Sequence, residues 1–302
     1  MKCSSLSLVI PSFAKINLYL QILNKRKDGF HNLNTLFARI DLADSLVLRK
    51  RQDSLIKINS DSRDVPQDAT NLCYRAAALL KQELKLSLGV EIELNKCIPV
   101  GAGLGGGSSN AASVLLGLNK LWNLNLSKIR LINLGAKLGS DVPFFIHQVK
   151  FALGSQRGNK IAPLVSLDKV KLWFLLVYPR LKVSTPLIYQ KLDIYRSMDR
   201  AFSRLTRPQG NVKIFTSQLL KKGRLVDPDC FFNSLEAVTS NLYPVVNQVK
   251  NALFSIGLDK VMMSGSGPAV FAVCDSCLQA QNLSKQLCRQ HREWKVFVTS
   301  TI

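Results

Sequence analysis

Between Pro99 and Ala112 the chain reads PVGAGLGGGSSNAA, and five glycines so close together leave the backbone itself as the main reagent of that stretch. Glycine permits positive φ and close approach by a bulky group, so successive N–H groups can turn to one side and form a concave nest for an anion. Ser108 and Ser109 then open an apolar helix predicted to run through Leu121. The N-terminus of that helix carries roughly +0.5 charge toward the same point. Phosphate is the natural guest. The candidate nucleotide-phosphate segment is Pro99, Val100, Gly101, Ala102, Gly103, Leu104, Gly105, Gly106, Gly107, Ser108 and Ser109.

Spacing separates the glycine motifs that compete for this run. Gly101, Gly103 and Gly106 satisfy G-x-G-x-x-G, yet no acidic residue follows about 20 positions later to hold a ribose hydroxyl, so a dinucleotide fold is poorly supported. A Walker loop needs Lys and then Ser or Thr after its last glycine, and Gly107 is followed directly by Ser108. A protein kinase would carry His-Arg-Asp and Asp-Phe-Gly downstream, and neither string occurs. A plain flexible turn is the structural alternative, although such turns seldom launch into a well-patterned helix.

With 302 residues the chain exceeds what one hydrophobic core usually serves, so two lobes with a cleft are expected, divided as residues 1–165 and 166–302. The loop-rich stretch from Leu153 to Lys169 motivates that boundary. Apolar strings such as Leu172 to Tyr178 are far too short for a membrane span, and Leu6 to Ile10 is too short for a secretory core. A cytoplasmic protein with reduced thiols is the expectation, since an odd count of seven cysteines fits free thiols better than a disulfide framework. Cys274 and Cys277 form a lone C-x-x-C without the second ligand pair of a structural zinc site. The net charge of +21 fits either nucleic acid or an anionic substrate drawn in by a positive field. Basic residues are spread along the chain without interleaved aromatics, which favours a solvated basic surface over a nucleic-acid module.

Periodicity predicts strands at Ser12 to Leu23, Asp44 to Lys50, Ser54 to Asn59 and Gly89 to Asn95, with a turn over Asn24 to Gly29. Helices are predicted at Thr70 to Leu86, with Leu72, Ala76, Leu79, Leu80 and Leu84 on one face, and at Ser127 to Leu138, with Ser127 as cap. The second half reads as a strand at Lys171 to Tyr178 and helices at Thr216 to Lys222, Cys230 to Ser240 and Pro244 to Ile256. A strand–turn–strand around Met263 to Pro268, a helix at Ser276 to Trp294 and a strand at Lys295 to Ser300 complete it. The glycine-containing turn from Met263 to Pro268 is either a plain hairpin turn or a backbone surface that meets the first loop.

Four separated strings agree with one another: SFAKIN from Ser12 to Asn17, the Pro99 to Ala112 loop, GSDVP from Gly139 to Pro143, and MSGSGPAVF from Met263 to Phe271. Together they resemble the GHMP kinase superfamily. The string KDGFH, Lys27 to His31, narrows the resemblance to members whose small-molecule acceptor carries a cytidine diphosphate group. It spans most of the chain and weakens between Leu187 and Asp229. The resemblance implies an α+β, two-lobed fold, the first lobe like ribosomal protein S5 and the second ferredoxin-like. ATP is implied as co-substrate, with Mg2+ as counter-charge. It further implies that the glycine loop holds the ATP phosphates, that Asp141 is the catalytic base and that Lys15 is its charged partner.

The chemistry agrees with those roles. Phosphoryl transfer passes through a loose transition state, so a protein mainly positions reactants, neutralises charge and accepts the hydroxyl proton. Asp141 in a turn before an apolar segment could also be a helix N-cap. Lys15 interrupts an alternating strand, where a cation needs an anion nearby unless it lies on a sheet edge. By the same resemblance Asn17, Phe30, His31, Thr185, Pro186 and Tyr189 form the cytidine side, with Phe30 standing where the family usually has tyrosine. A stack survives that change because it needs only a π face, while a hydrogen bond from the tyrosine hydroxyl does not. Ser234 stands where relatives commonly carry aspartate. The alternatives are another small-molecule GHMP kinase, acting on homoserine or mevalonate, and a nucleic-acid-binding protein built on a ribosomal-protein-like lobe. No membrane partner is expected.

Overall fold

The computed structural model describes residues 7–206, 212–222 and 231–302, which form an α+β protein. Two long strands set its frame, β1 (Ser7–Lys25) and β2 (His31–Arg51). The turn predicted at Asn24 to Gly29 joins them, with Gly29 at φ +84°. The alternation read in β1 gives way to unbroken burial from Ala14 to Leu20. That is the pattern of a strand covered on both faces.

Packing divides the chain into two compact units that are interleaved in sequence. One comprises the residues up to Ala14, Leu42–Val100 and Gly105–Gln148; the other comprises Lys15–Asp41, Gly101–Leu104 and Val149–Ile302. These boundaries differ from a single cut between 165 and 166, because β1 and β2 are long enough for each to serve both units.

In the first unit, β3 (Ile56–Ser60) runs parallel to β4 (Gly89–Asn95), and β4 runs antiparallel to the C-terminal half of β2 from Ser45 to Arg51. The crossover between β3 and β4 is α1 (Leu72–Leu84), capped by Asn71, whose side chain accepts the Cys73 N–H at 2.8 Å. Its buried face is Cys73, Ala76, Ala77 and Leu80, rotated from the predicted stripe, with Leu79 and Leu84 only partly covered. α2 (Gly106–Leu121), α3 (Lys128–Leu138) and α4 (Val142–His147) complete the unit. A Cβ at Gly117 of α2 would stand 2.4 Å from Ile10 and 2.5 Å from Leu48 side-chain carbons, so glycine sets how closely this helix lies on the strands.

The second unit contains a four-stranded antiparallel sheet in the order β11 (Lys295–Ser300), β7 (Trp173–Tyr178), β10 (Val270–Cys274) and β9 (Val261–Met263). A hairpin of β5 (Phe151–Ser155) and β6 (Lys160–Pro163) pairs with the N-terminal half of β2. This corrects the loop reading of 153–169, where Gly154, Gly158 and Asn159 masked strands that exist through pairing rather than propensity. Two-residue β8 (Phe232–Asn233) runs parallel to β1.

The helices here are α5 (Thr185–Met198), α6 (Arg200–Leu205), α7 (Val212–Lys222), α8 (Glu236–Leu242), α9 (Val245–Ser255) and α10 (Cys277–Gln290). The helix predicted from Cys230 begins outside the described residues, and α8 starts only at Glu236 because β8 claims the preceding backbone. α5 was not predicted at all. One core holds Leu20 and Ile22 of β1, Leu175 and Val177 of β7, and Ile188 and Leu192 of α5.

Candidate active site

The glycine loop is held at both ends by one buried polar cluster in the first unit. Asp44, fully buried on β2, accepts the N–H groups of Cys97 and Ile98 at 2.8 Å each, fixing the chain as it leaves β4. The Lys96 ammonium pairs with the same carboxylate, and Asn110 Nδ2 donates to it at 2.9 Å from the first turns of α2. Asn110 Nδ2 also donates to Ser12 Oγ at 2.9 Å, Ser12 to Ser109 Oγ at 2.8 Å, and Ser109 to the Phe13 carbonyl at 2.6 Å. Helix α2 starts two residues before the predicted Ser108. Its N-cap is Gly105 at φ +70°, without a side-chain cap bond, and Ser109 is occupied with β1 instead.

Between these anchors, Gly101, Gly103 and Gly105 all take positive φ, +68°, +78° and +70°, while Ala102 and Leu104 are buried and pin the stretch. Four successive carbonyls accept protein donors within the second unit. Gly101 takes the Val183 N–H, Ala102 the Ala269 N–H, Gly103 the Ser264 hydroxyl at 3.1 Å, and Leu104 the Lys15 N–H at 3.0 Å. With those carbonyls engaged, the amides of the same loop are the polar groups it can offer to an anion.

The Met263 to Pro268 turn is the backbone surface that meets the first loop, not a plain hairpin. A Cβ on Gly103 would lie 2.0 Å from the Ser264 carbonyl oxygen, so the two glycine segments touch backbone to backbone. Asn233 Nδ2 donates to the Met263 and Gly265 carbonyls at 2.8 Å each, and Glu236 accepts the Met263 N–H at 2.8 Å.

Lys15 is 4% exposed, with its ammonium donating to Asn17 Oδ1 at 2.6 Å and lying 5.5 Å from the centre of the Phe37 ring. Asn17 in turn donates through Nδ2 to Thr35 Oγ1 at 2.8 Å. The predicted binding residue thus holds the predicted cation. Asp141, in the first unit, stands at the N-cap position of α4, but its side chain makes no cap hydrogen bond. The structural alternative for that carboxylate is therefore not realised.

The predicted cytidine-side residues all belong to the second unit. His31 is nearly buried, its ring centre 5.2 Å from that of Tyr189. Phe30 is 50% exposed and carries the Arg157 guanidinium 4.6 Å from its ring centre. Thr185 and Pro186 open α5, and the Thr185 hydroxyl lies 2.7 Å from that of Ser266 in the second glycine turn.

Sequence reasoning missed Asp44, Asn233, Arg157 and Asp193. Ser184 at the N-cap position and Pro186 in the first turn of α5 were the available signal for the last of these. Ser234, fully buried, donates to the Thr206 carbonyl at 2.9 Å and accepts the Ile22 N–H at 3.0 Å. An ionised aspartate there could make only the second bond.

Family models match twice, "GHMP kinases N terminal domain" over residues 71–148 and "GHMP kinases C terminal" over 218–293. The 4-diphosphocytidyl-2-C-methyl-D-erythritol kinase of Enterococcus faecalis is 40% identical over 273 residues, 89% of this chain and 91% of that protein. Its namesake from Alkaliphilus oremlandii is 39% identical over 282 residues, 92% of this chain and 91% of that one. The chain belongs to this kinase family, within the GHMP kinases. A crystal structure of 4-(cytidine 5'-diphospho)-2C-methyl-D-erythritol kinase superposes with TM-score 0.80 at 31% identity, covering 98% of this chain and 100% of that one. A homoserine kinase from Cytophaga hutchinsonii shares the fold, with TM-score 0.70 at 20% identity, over 100% of this chain and 96% of its own. The family's kinases thus share with this chain both its overall architecture and most of its length.

Proposed function

We propose that this small-molecule kinase transfers the γ-phosphoryl group of ATP to the 2-hydroxyl of 4-diphosphocytidyl-2-C-methyl-D-erythritol, a step in non-mevalonate isoprenoid precursor synthesis. The observation that carries the reading is identity near 40% over about nine-tenths of the chain to kinases bearing that name. The glycine loop, its carbonyls turned to protein donors, presents amides and the α2 N-terminus to the phosphates of ATP. Asp141, whose side chain makes no cap hydrogen bond, accepts the proton of the attacking hydroxyl. Lys15, oriented by Asn17, supplies positive charge toward the transferred phosphoryl group.

Among the described residues no group of three or more His, Cys, Asp or Glu is arranged to hold a metal ion. Mg2+ would accompany the ATP phosphates and neutralise part of their charge. No helix among the described residues is long and apolar enough to cross a membrane.

Phe30, His31, Thr185, Pro186 and Tyr189 form the cytidine side, with Phe30 stacking on the base and Arg157 backing its ring. The test is an ATP-coupled turnover assay with and without the cytidylylated acceptor, run beside homoserine and mevalonate. Turnover that needs the cytidylylated alcohol supports the assignment. Equal or better turnover with either of the other two overturns it.

A further inference from the structure

Helix α5 carries Tyr189 and Asp193 at i and i+4, so both side chains project from one face of the helix. That face meets His31. The Tyr189 ring lies against the imidazole, and Asp193 Oδ1 stands 2.7 Å from His31 Nε2. The second carboxylate oxygen takes the Lys25 ammonium, also at 2.7 Å. Burial alone would raise the Asp193 carboxyl, but the hydrogen bonds from Lys25 and His31 outweigh it and hold it below the usual carboxylate range. An ionised carboxylate can only accept hydrogen bonds, so the imidazole nitrogen facing it must carry the proton. In the neutral ring the other nitrogen, Nδ1, is then a lone-pair acceptor. His31 is only 6% exposed, so packing and this contact together leave its ring little freedom to flip.

We infer that Asp193 is a positioning residue that locks His31 with Nδ1 as a hydrogen-bond acceptor, so that the site selects a pyrimidine bearing an exocyclic amine over one bearing a keto oxygen. This rests on the reading that His31 contacts the base. The 4-amino group of cytosine donates to such an acceptor. The 4-oxygen of uracil would face it lone pair to lone pair, leaving both buried groups unpaired. Lys25 steadies the carboxylate, and Tyr189 holds the ring from the side.

Two measurements test the inference. The chain has three histidines, so 15N-imidazole spectra of the wild-type protein resolve the His31 tautomer, with His31→Ala supplying the assignment. The Nε2–H form is expected, and an Nδ1–H form overturns the inference without any variant at position 193. In steady-state kinetics, Asp193→Ala should raise KM for the cytidylylated acceptor by about tenfold and shrink the preference over its uridylylated analogue by about tenfold, with kcat and the KM for ATP nearly unchanged. Asp193→Glu should recover much of the preference. An Asp193→Ala enzyme with undiminished preference overturns the inference. If His31→Ala loses that preference in the same assay, the base-contact reading survives alone. If His31→Ala keeps it too, that reading falls as well.

Discussion

Single residues carry the chemistry, and their surroundings separate a working role from a structural one. Asp141 occupies a capping position without making the cap bond, so Asp141→Asn should lower kcat by about 10² to 10⁴ while ATP affinity stays nearly intact. Loss of a true cap would instead cost about 0.5–2 kcal/mol of stability, so a shifted unfolding midpoint with full turnover would return the residue to a structural role. Lys15 was legible as a cation out of place in a strand, but its orientation by Asn17 was not, because a sequence does not say which side chains two apart on one face will bond. The thiols differ in the same local way. Burial pushes Cys73 up to about 12 and Cys274 up to about 11, so both remain protonated at pH 8, whereas Cys97 and Cys288 are exposed. Since the thiolate is the nucleophile, iodoacetamide at pH 8 should label Cys97 and Cys288 in the native protein and reach Cys73 and Cys274 only after unfolding. Mass mapping of the labelled peptides checks it.

At the level of elements, the glycine loop is defined by what grips its ends and its carbonyls. Gly103 combines φ +78° with a backbone oxygen 2.0 Å from where a Cβ would stand. Gly103→Ala should therefore cost about 2–4 kcal/mol of stability and raise the KM for ATP by more than tenfold, read by denaturant unfolding and initial rates. Asp44 answers for both flanks. Asp44→Ala would leave the Lys96 ammonium buried beside unpaired amides, a loss of about 3–5 kcal/mol, whereas Asp44→Asn keeps an acceptor for Cys97 and Ile98 and should lose less. Equal losses in the two variants would show that the ion pair alone matters. Sequence made α1, α3, α9 and β11 visible because each shows its own periodicity or cap. It hid β5, β6 and β8, whose strand character comes from partners on β2 and β1. It also hid α5, whose Thr185, Pro186 and Tyr189 read as cytidine-side residues rather than as the start of a helix. The Asp44 cluster was equally invisible, since it joins residues from β1, β2, the end of β4 and α2 that nothing local relates.

For the whole molecule, two facts set the expectations: the two units share β1 and β2, and the chain carries a net charge of +21. Shared strands mean that neither unit is a contiguous piece of sequence, so a chain cut near residue 165 leaves β5 with β6 but separates β1 from β8, its partner in the second unit. The charge acts at longer range. Both proposed substrates are polyanions, and a positive field raises their encounter rate without touching the chemical step. Raising the ionic strength from about 0.01 M to about 0.1 M shortens the screening length from about 30 Å to about 10 Å. The kcat/KM for ATP and for the cytidylylated acceptor should then fall several-fold while kcat holds. If kcat/KM is flat across that range, the charge does not serve substrate capture. A log–log salt slope measured for mixed RNA under the same conditions then decides whether the basic surface answers to nucleic acid instead, because release of counterions from a bound polyphosphate backbone gives a steep negative slope that two small substrates cannot produce.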